Sequence, residues 1–408
     1  MMMLVRLAWR NILRNKRRTL LSGIAVGIGL ASIIFVQALF TGMLNSMVRT
    51  ATDTIIGEGQ IHLKGFRDTY DPDKTIRNSK ALMKDLESEE VLEYFTPRTI
   101  SFAMISSAAG VQSVMLYGVQ PLTERPVSAV DDAIIKGNYL GPEETGMILI
   151  GSKTASTLEV EIGDRIVVTT AQAHTGELAQ EMFRVGGIFH FGSREADSGL
   201  VFVDLKKAQG LLGLGEDIHE IALKFRSLDM AGDTSLYFWK KYSRDGNEAI
   251  GWKVMVPQLE SVVEMSHISM GITMLLVFGI VGLTIMNSLF MSLYERMFEF
   301  GLLRALGTRP LRMAALIFLE AASLSLVSIV IGSFLGLAVT WYFSVHGINY
   351  KGIEFAGITI TELIFPVLSV EQFTLYPLLV MVFSLAAAIY PAFYAAKLTP
   401  ARAMRRSI

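Results

Sequence analysis

Met270-Gly271-Ile272-Thr273-Met274-Leu275-Leu276-Val277-Phe278-Gly279-Ile280-Val281 carries no charge and a single hydroxyl, and it is hard to place in water. It lies within a longer uncharged run, Ile268–Leu293. Crossing a hydrocarbon core takes about 20 apolar residues in a helix, so the run reads as a membrane span. Thr19–Val48, Met313–Val345 and Phe373–Ala396 pass the same test, with Glu320 the one charge among them. The expected fold is an integral membrane α-helical protein with four spans and a large α+β domain between the first two.

The composition agrees. Hydrophobic residues make up 51% of the chain, above the roughly 45–50% of soluble domains. Net charge is −1, so no overall basic field favours nucleic acid. The chain has no cysteine, which excludes disulfides, thiolate metal sites and cysteine lipidation.

Orientation follows from the bases flanking the spans. Arg6, Arg10, Arg14, Lys16, Arg17 and Arg18 precede the first, and Arg296, Arg304, Arg309 and Arg312 lie between the second and third. Lys397, Arg402, Arg405 and Arg406 follow the fourth, whereas the loop between spans three and four has Lys351 against Glu354, Glu362 and Glu371. Both termini and the middle loop are expected in the cytoplasm, with the large domain outside. The first apolar run exceeds the about 7–15 residues of a signal-peptide core, so it is read as an uncleaved signal anchor. Leu4–Arg18 alternates Leu4, Leu7, Ala8, Ile12 and Leu13 with arginines around Trp9, the pattern of a basic amphipathic helix lying in the interface. The expected boundaries are 1–18 for that helix, 19–48 for span one, 49–265 for the outer domain and 266–293 for span two. A cytoplasmic connection 294–310, span three 311–345, an outer loop 346–372, span four 373–396 and a tail 397–408 complete the chain.

Within the outer domain, Gln60–Lys64, Ile166–Thr170, Arg184–Phe191 and Gly199–Val203 read as strands. Ser79–Glu93 and Lys153–Leu158 read as helices. Gly146 and Gly151-Ser152-Lys153-Thr154 suggest a phosphate loop, but Ser152 separates the glycine from the lysine, and the required spacing fails. The six histidines are scattered without metal-ligand spacing, and there is no Gly-x-Ser-x-Gly turn. No enzymatic site and no metal site is expected.

The connection Tyr294-Glu295-Arg296-Met297-Phe298-Glu299-Phe300-Gly301-Leu302-Leu303-Arg304-Ala305-Leu306-Gly307-Thr308-Arg309-Pro310 is too short for a domain and too regular for a plain loop. Gly307 suits a helix end and Pro310 a new start. A short surface helix would offer Phe298, Leu302 and Leu306 to a partner. The segment resembles the coupling helix of MacB/FtsX-type ABC transporter permeases through Glu295, Arg296, Glu299, Gly301, Leu302, Arg304, Ala305, Leu306 and Gly307. Phe300 departs from the pattern, replacing an aliphatic residue. The resemblance extends to Asn11–Arg18, Gly163-Asp164, Val185–Phe189 and Tyr390-Pro391-Ala392, and in domain order and length it is nearest the lipoprotein-releasing (Lol-type) permeases.

That resemblance implies a bacterial inner-membrane subunit that binds no cofactor itself. ATP and Mg would be held by a separate cytoplasmic ABC ATPase dimer gripping two permeases, this chain and a second copy or a paralogue. Further implied partners are membrane lipids and a periplasmic lipoprotein shuttle or adaptor. MacB-like export of drugs, peptides or toxins, and FtsX-like activation of a periplasmic hydrolase, are the other functions the family offers. The resemblance also suggests a substrate or lipid cavity lined by Phe35, Leu39, Met43 and Met47 of span one and Met270, Met274 and Phe278 of span two. The hairpin Thr170–Glu181, with His174, Gly176 and Glu177 at its tip, occupies the place of a shuttle-recruiting hook. Gly23-x-x-x-Gly27 and Gly332-x-x-x-Gly336 allow close helix approach. Glu320 requires a polar partner, Asn287 or a loop arginine.

Overall fold

The computed structural model describes residues 6–8, 10–11, 14–141, 146–350, 354–355, 358–359 and 363–399. Expectations resting on Leu4, Trp9, Ile12, Leu13, Lys351, Glu362 and the tail bases Arg402, Arg405 and Arg406, or on the side chain of Glu354, lie outside that description. The chain divides into two compact units, Met1–Met47 with Val262–Ile408, and Val48–Ser261.

Among the described residues four helices are long and apolar enough to cross a membrane. They are Lys16–Ala51, Pro257–Glu295, Pro310–His346 and Val370–Lys397. Their shared core includes Leu30 and Ile34 from the first, Ile285 and Leu293 from the second, Ile317 and Ala321 from the third, and Val380 and Ala388 from the fourth. The two small-residue motifs seat on one another. A Cβ on Gly332 would stand 2.7 Å from the Gly27 carbonyl oxygen, and one on Gly27 would stand 3.2 Å from the Gly332 nitrogen. Backbone therefore meets backbone where helices one and three cross. Gly332→Leu should cost about 3 kcal/mol or more, beyond ordinary overpacking, because neither backbone can yield. Gly279, whose Cβ would meet nothing within 4 Å, should accept leucine unharmed. Thermal melting of the full chain in detergent checks the contrast, and equal Tm values would contradict it.

The inserted unit is built on a ten-stranded sheet. Its strands are β1 (Gly59–Leu63), β2 (Leu92–Ser106), β3 (Val111–Val119), β4 (Ile134–Gly137) and β5 (Met147–Gly151), followed by β6 (Arg165–Ala171), β7 (Leu178–Phe189), β8 (Leu200–Asp204), β9 (Glu220–Phe225) and β10 (Asn247–Gly251). The path runs β10-β1-β9-β2-β3-β8-β5-β7-β4, and β6 bridges β2 to β7. Pairing thus closes a ring, β2-β3-β8-β5-β7-β6, around a core that includes Ile105, Leu116, Ile150, Val168, Phe183 and Val201. The two longest strands each serve three neighbours: β2 pairs with β3, with β9 through its first half and with β6 through its last residues, and β7 pairs with β5, β6 and β4.

Among the described residues of this unit, one ionic group is fully enclosed. Arg98 of β2 donates to Glu124 at 2.6 and 3.0 Å, to Glu220 of β9 at 3.0 Å, and to the Ile55 carbonyl at 2.5 Å. Burial opposes charge on Arg98, but the carboxylates outweigh it and raise its affinity for the proton. Nearby, the His219 ring accepts the Ile100 N–H on Nδ1 at 2.9 Å, so its Nε2–H donates to the Pro72 carbonyl at 2.9 Å. Burial lowers the pKa of this imidazole, which stacks on Phe66 at 5.0 Å.

Candidate functional site

The second long helix stops at Glu295, and Arg296 leaves helical geometry with φ −109° and ψ 14°. A nine-residue helix, Met297–Ala305, follows. Gly307 takes φ +90°, a conformation that favours glycine, and Pro310 opens the third long helix. Met297, Phe300 and Gly301 face inward. Phe298, Leu302 and Leu306 recur every fourth residue on the other side and are 51%, 47% and 76% exposed. Arg304 braces the connection, donating to the carbonyls of Thr308 at 3.0 Å and Leu398 at 3.4 Å. Ala305 and Gly307 are exposed beside the row.

The charged residues of the motif have a different role from the row. Glu295 pairs with Arg18 at 2.5 Å, and Glu299 pairs with Arg14 at 2.8 Å and with Arg296 at 3.0 Å. Burial pushes the Glu299 carboxyl up, yet the hydrogen bonds from the two arginines prevail and hold it below its ordinary range. Arg296 reaches inward to Glu320 at 2.6 Å, and Asn11 donates to the same carboxylate oxygen at 2.7 Å. The Arg296 guanidinium also lies over the Phe300 ring at 5.1 Å. Of the residues expected to meet a partner, Glu295, Arg296 and Glu299 therefore hold this chain's own segments together, and Gly301 is buried beneath them. Spacing alone could not separate the two sets, because the N-terminal partners Asn11, Arg14 and Arg18 lie 277 residues away or more along the sequence. Asn287, the other expected partner of Glu320, is exposed instead.

The seven residues expected to line one cavity do not share an open face in this chain. Met47, Met270 and Phe278 are buried within it, and Phe278 stacks on Phe383 at 5.0 Å. Phe35 packs on Phe343 at 5.5 Å, while Leu39, Met43 and Met274 are half-buried. The open apolar faces run instead through Leu21, Ile28 and Val36 of the first long helix and through Ile272, Leu276, Ile280 and Leu283 of the second. A stripe of large residues marks one helix side without telling whether lipid or protein covers it.

The hairpin between β6 and β7 closes at Ala171 opposite Leu178. His174 and Gly176 take left-handed φ values of +63° and +69°. The tip is pinned to the body of the domain and does not project. Ala173 is buried with Leu212 and Leu214 and donates to the Leu212 carbonyl at 2.9 Å, while His174 donates its backbone N–H to Asp73 at 2.5 Å. Glu177 is left exposed beside it. Ser152, His190 and Asp197 meet elsewhere in the domain, at 3.1 Å and 2.7 Å. Both contacts use His190 Nδ1, whereas a Ser-His-Asp triad sets the serine on one ring nitrogen and the acid on the other.

Comparison with known proteins agrees with this architecture. Residues 19–233 match the MacB-like periplasmic core domain, and residues 271–400 match the FtsX-like permease C-terminal family. The lipoprotein-releasing system transmembrane protein LolC of Xylella fastidiosa is 24% identical over 355 residues, covering 81% of this chain and 84% of that protein. LolE of Haemophilus influenzae is 24% identical over 348 residues, covering 81% of each. The periplasmic region of MacB from Actinobacillus actinomycetemcomitans aligns with a TM-score of 0.35 and 13% identity, covering 51% of this chain and 94% of that one. With four apolar helices, a domain inserted after the first, and a family match across more than half of its length, the chain belongs to the MacB/FtsX-type permeases of ABC transporters.

Proposed function

We propose that this chain is the membrane subunit of an ABC machine that releases lipoproteins from the bacterial inner membrane. The observation that carries the reading is the exposed row Phe298, Leu302 and Leu306, held on a short helix whose opposite side is bolted to the chain by ion pairs. An apolar row on a rigid mount suits docking by a second protein. Its lipoprotein-releasing relatives match over four-fifths of the chain. A separate ATPase dimer, holding ATP and Mg, would bind the row from the cytoplasm, where both termini also lie. A second permease, copy or paralogue, would complete the membrane pair. The inserted domain would then work in the periplasm, handing cargo to a shuttle or adaptor.

The test is purification of the complex from its native membrane, followed by mass spectrometry. Triacylated lipoprotein together with an ABC ATPase is the expected content. Small amphiphiles would favour export instead, and a bound periplasmic hydrolase would favour a signalling scaffold. A cysteine placed at Leu302 in this cysteine-free chain should react with a membrane-impermeant reagent only after the cytoplasmic side is opened. Labelling from outside would overturn the assignment.

A further inference from the structure

We propose that Glu320 is a positioning residue, an ionic strut that carries force from the short helix into the third span. The inference rests on the reading that an ATPase docks on that helix. One oxygen of Glu320 receives both Arg296 and Asn11. Glu320 is 3% exposed and Arg296 8%, among core residues such as Ile317 and Ala321. A cavity of about 20 Å³ beside the carboxylate, lined by Ser288, Ser292 and Thr19, has room for little more than one water.

Stability does not explain such a group. Well-packed apolar residues commonly replace a buried ion pair without loss, and an acid is costly in a membrane helix. What the pair supplies is direction. Apolar surfaces slide over one another, whereas short charged hydrogen bonds fix both distance and angle.

The placement of Arg296 gives the strut its purpose. Arg296 occupies the break between the second long helix and the short one, the joint that must bend when the short helix is pushed. One arm of its guanidinium holds Glu299 on the moving helix, and the other holds Glu320 on the third span. Displacement of Met297–Ala305 therefore pulls on the third long helix through two consecutive ion pairs. Asn11 brings the N-terminal segment to the same point.

The test compares variants of the full chain, reconstituted with its ATPase, by lipoprotein released per ATP hydrolysed. Glu320→Gln should reach the membrane and capture ATPase as the wild type does, while the ratio falls about tenfold. Glu320→Asp, which keeps a carboxylate facing Arg296 and leaves the Arg296–Glu299 pair undisturbed, should recover part of that loss, which a residue needed only to fill space would not show. Asn11→Leu, which leaves the ion pair intact, should lower the ratio about threefold, and it decides the matter if Glu320→Gln fails to accumulate. A wild-type ratio in Glu320→Gln, or in Asn11→Leu where the first is lost, overturns the strut alone. A wild-type chain that captures no ATPase overturns the docking reading and the strut with it.

Discussion

Aspartate at Leu306 or at Leu302 should strip the ATPase from the complex while leaving the chain folded and inserted. Both side chains are exposed and make no core contact within this chain, so the substitution costs the isolated permease little. In the complex the new carboxylate would be buried unpaired in an apolar contact. Hot-spot positions of this kind are worth roughly 2–4 kcal/mol, which is a loss of affinity of about 30-fold or more. Copurification of the ATPase in detergent reads the effect directly, and wild-type capture by both variants would exclude the row as the docking surface. Glu299→Lys should fail differently. It sets a third base beside Arg14 and Arg296, so capture should persist while hydrolysis no longer drives release.

The second large effect is expected at Arg98. Arg98→Met leaves Glu124 and Glu220 enclosed without their cation and the Ile55 carbonyl without its donor. Breaking one side of a buried charge group costs about 3–5 kcal/mol. For a domain of this size that is a fall in Tm of roughly 6–20 °C. Tryptophan fluorescence reports on it, since Trp239 and Trp252 are buried in the same unit. Removing all three charges together, as Arg98→Met with Glu124→Leu and Glu220→Leu, should recover much of the loss. The exposed Lys80–Glu216 pair is the control, and Lys80→Ala should leave the Tm unchanged. A Tm for Arg98→Met within 2 °C of wild type would show that the triad does not hold the domain.

The membrane helices were legible in the sequence because a bilayer leaves so little choice: long uncharged runs have nowhere else to go. The end of the short helix was legible too, through Gly307 and Pro310, whose backbone limits act locally, whereas the break at Arg296 gave no such signal. In the inserted domain, β6 showed itself by β-branched residues and alternation, and it is half-buried along its length. β2 did not, because residues 96–101 are all buried, it holds Pro97, and where burial does alternate the exposed positions Phe102 and Met104 are themselves apolar. The expected helix Ser79–Glu93 therefore ran too far. The real helix ends at Leu86, and β2 begins at Leu92. Arg98 gave no local signal at all. Its meaning lies in Glu124 and Glu220, which only the folded sheet brings together. The same holds for Glu320: its need for a polar partner could be read from its setting, but the identity of Asn11 could not.

The crossing of Gly27 over Gly332 has a mechanical consequence. At this crossing backbone touches backbone, flanked by the side chains of Leu30 and Ile331, so one rod can roll against the other by shifting few rotamers. Lifting them apart, by contrast, forfeits every contact at once. Such a joint would behave as a bearing, free in rotation and stiff in separation, about which the third span could turn against the first as its ion pair is pulled.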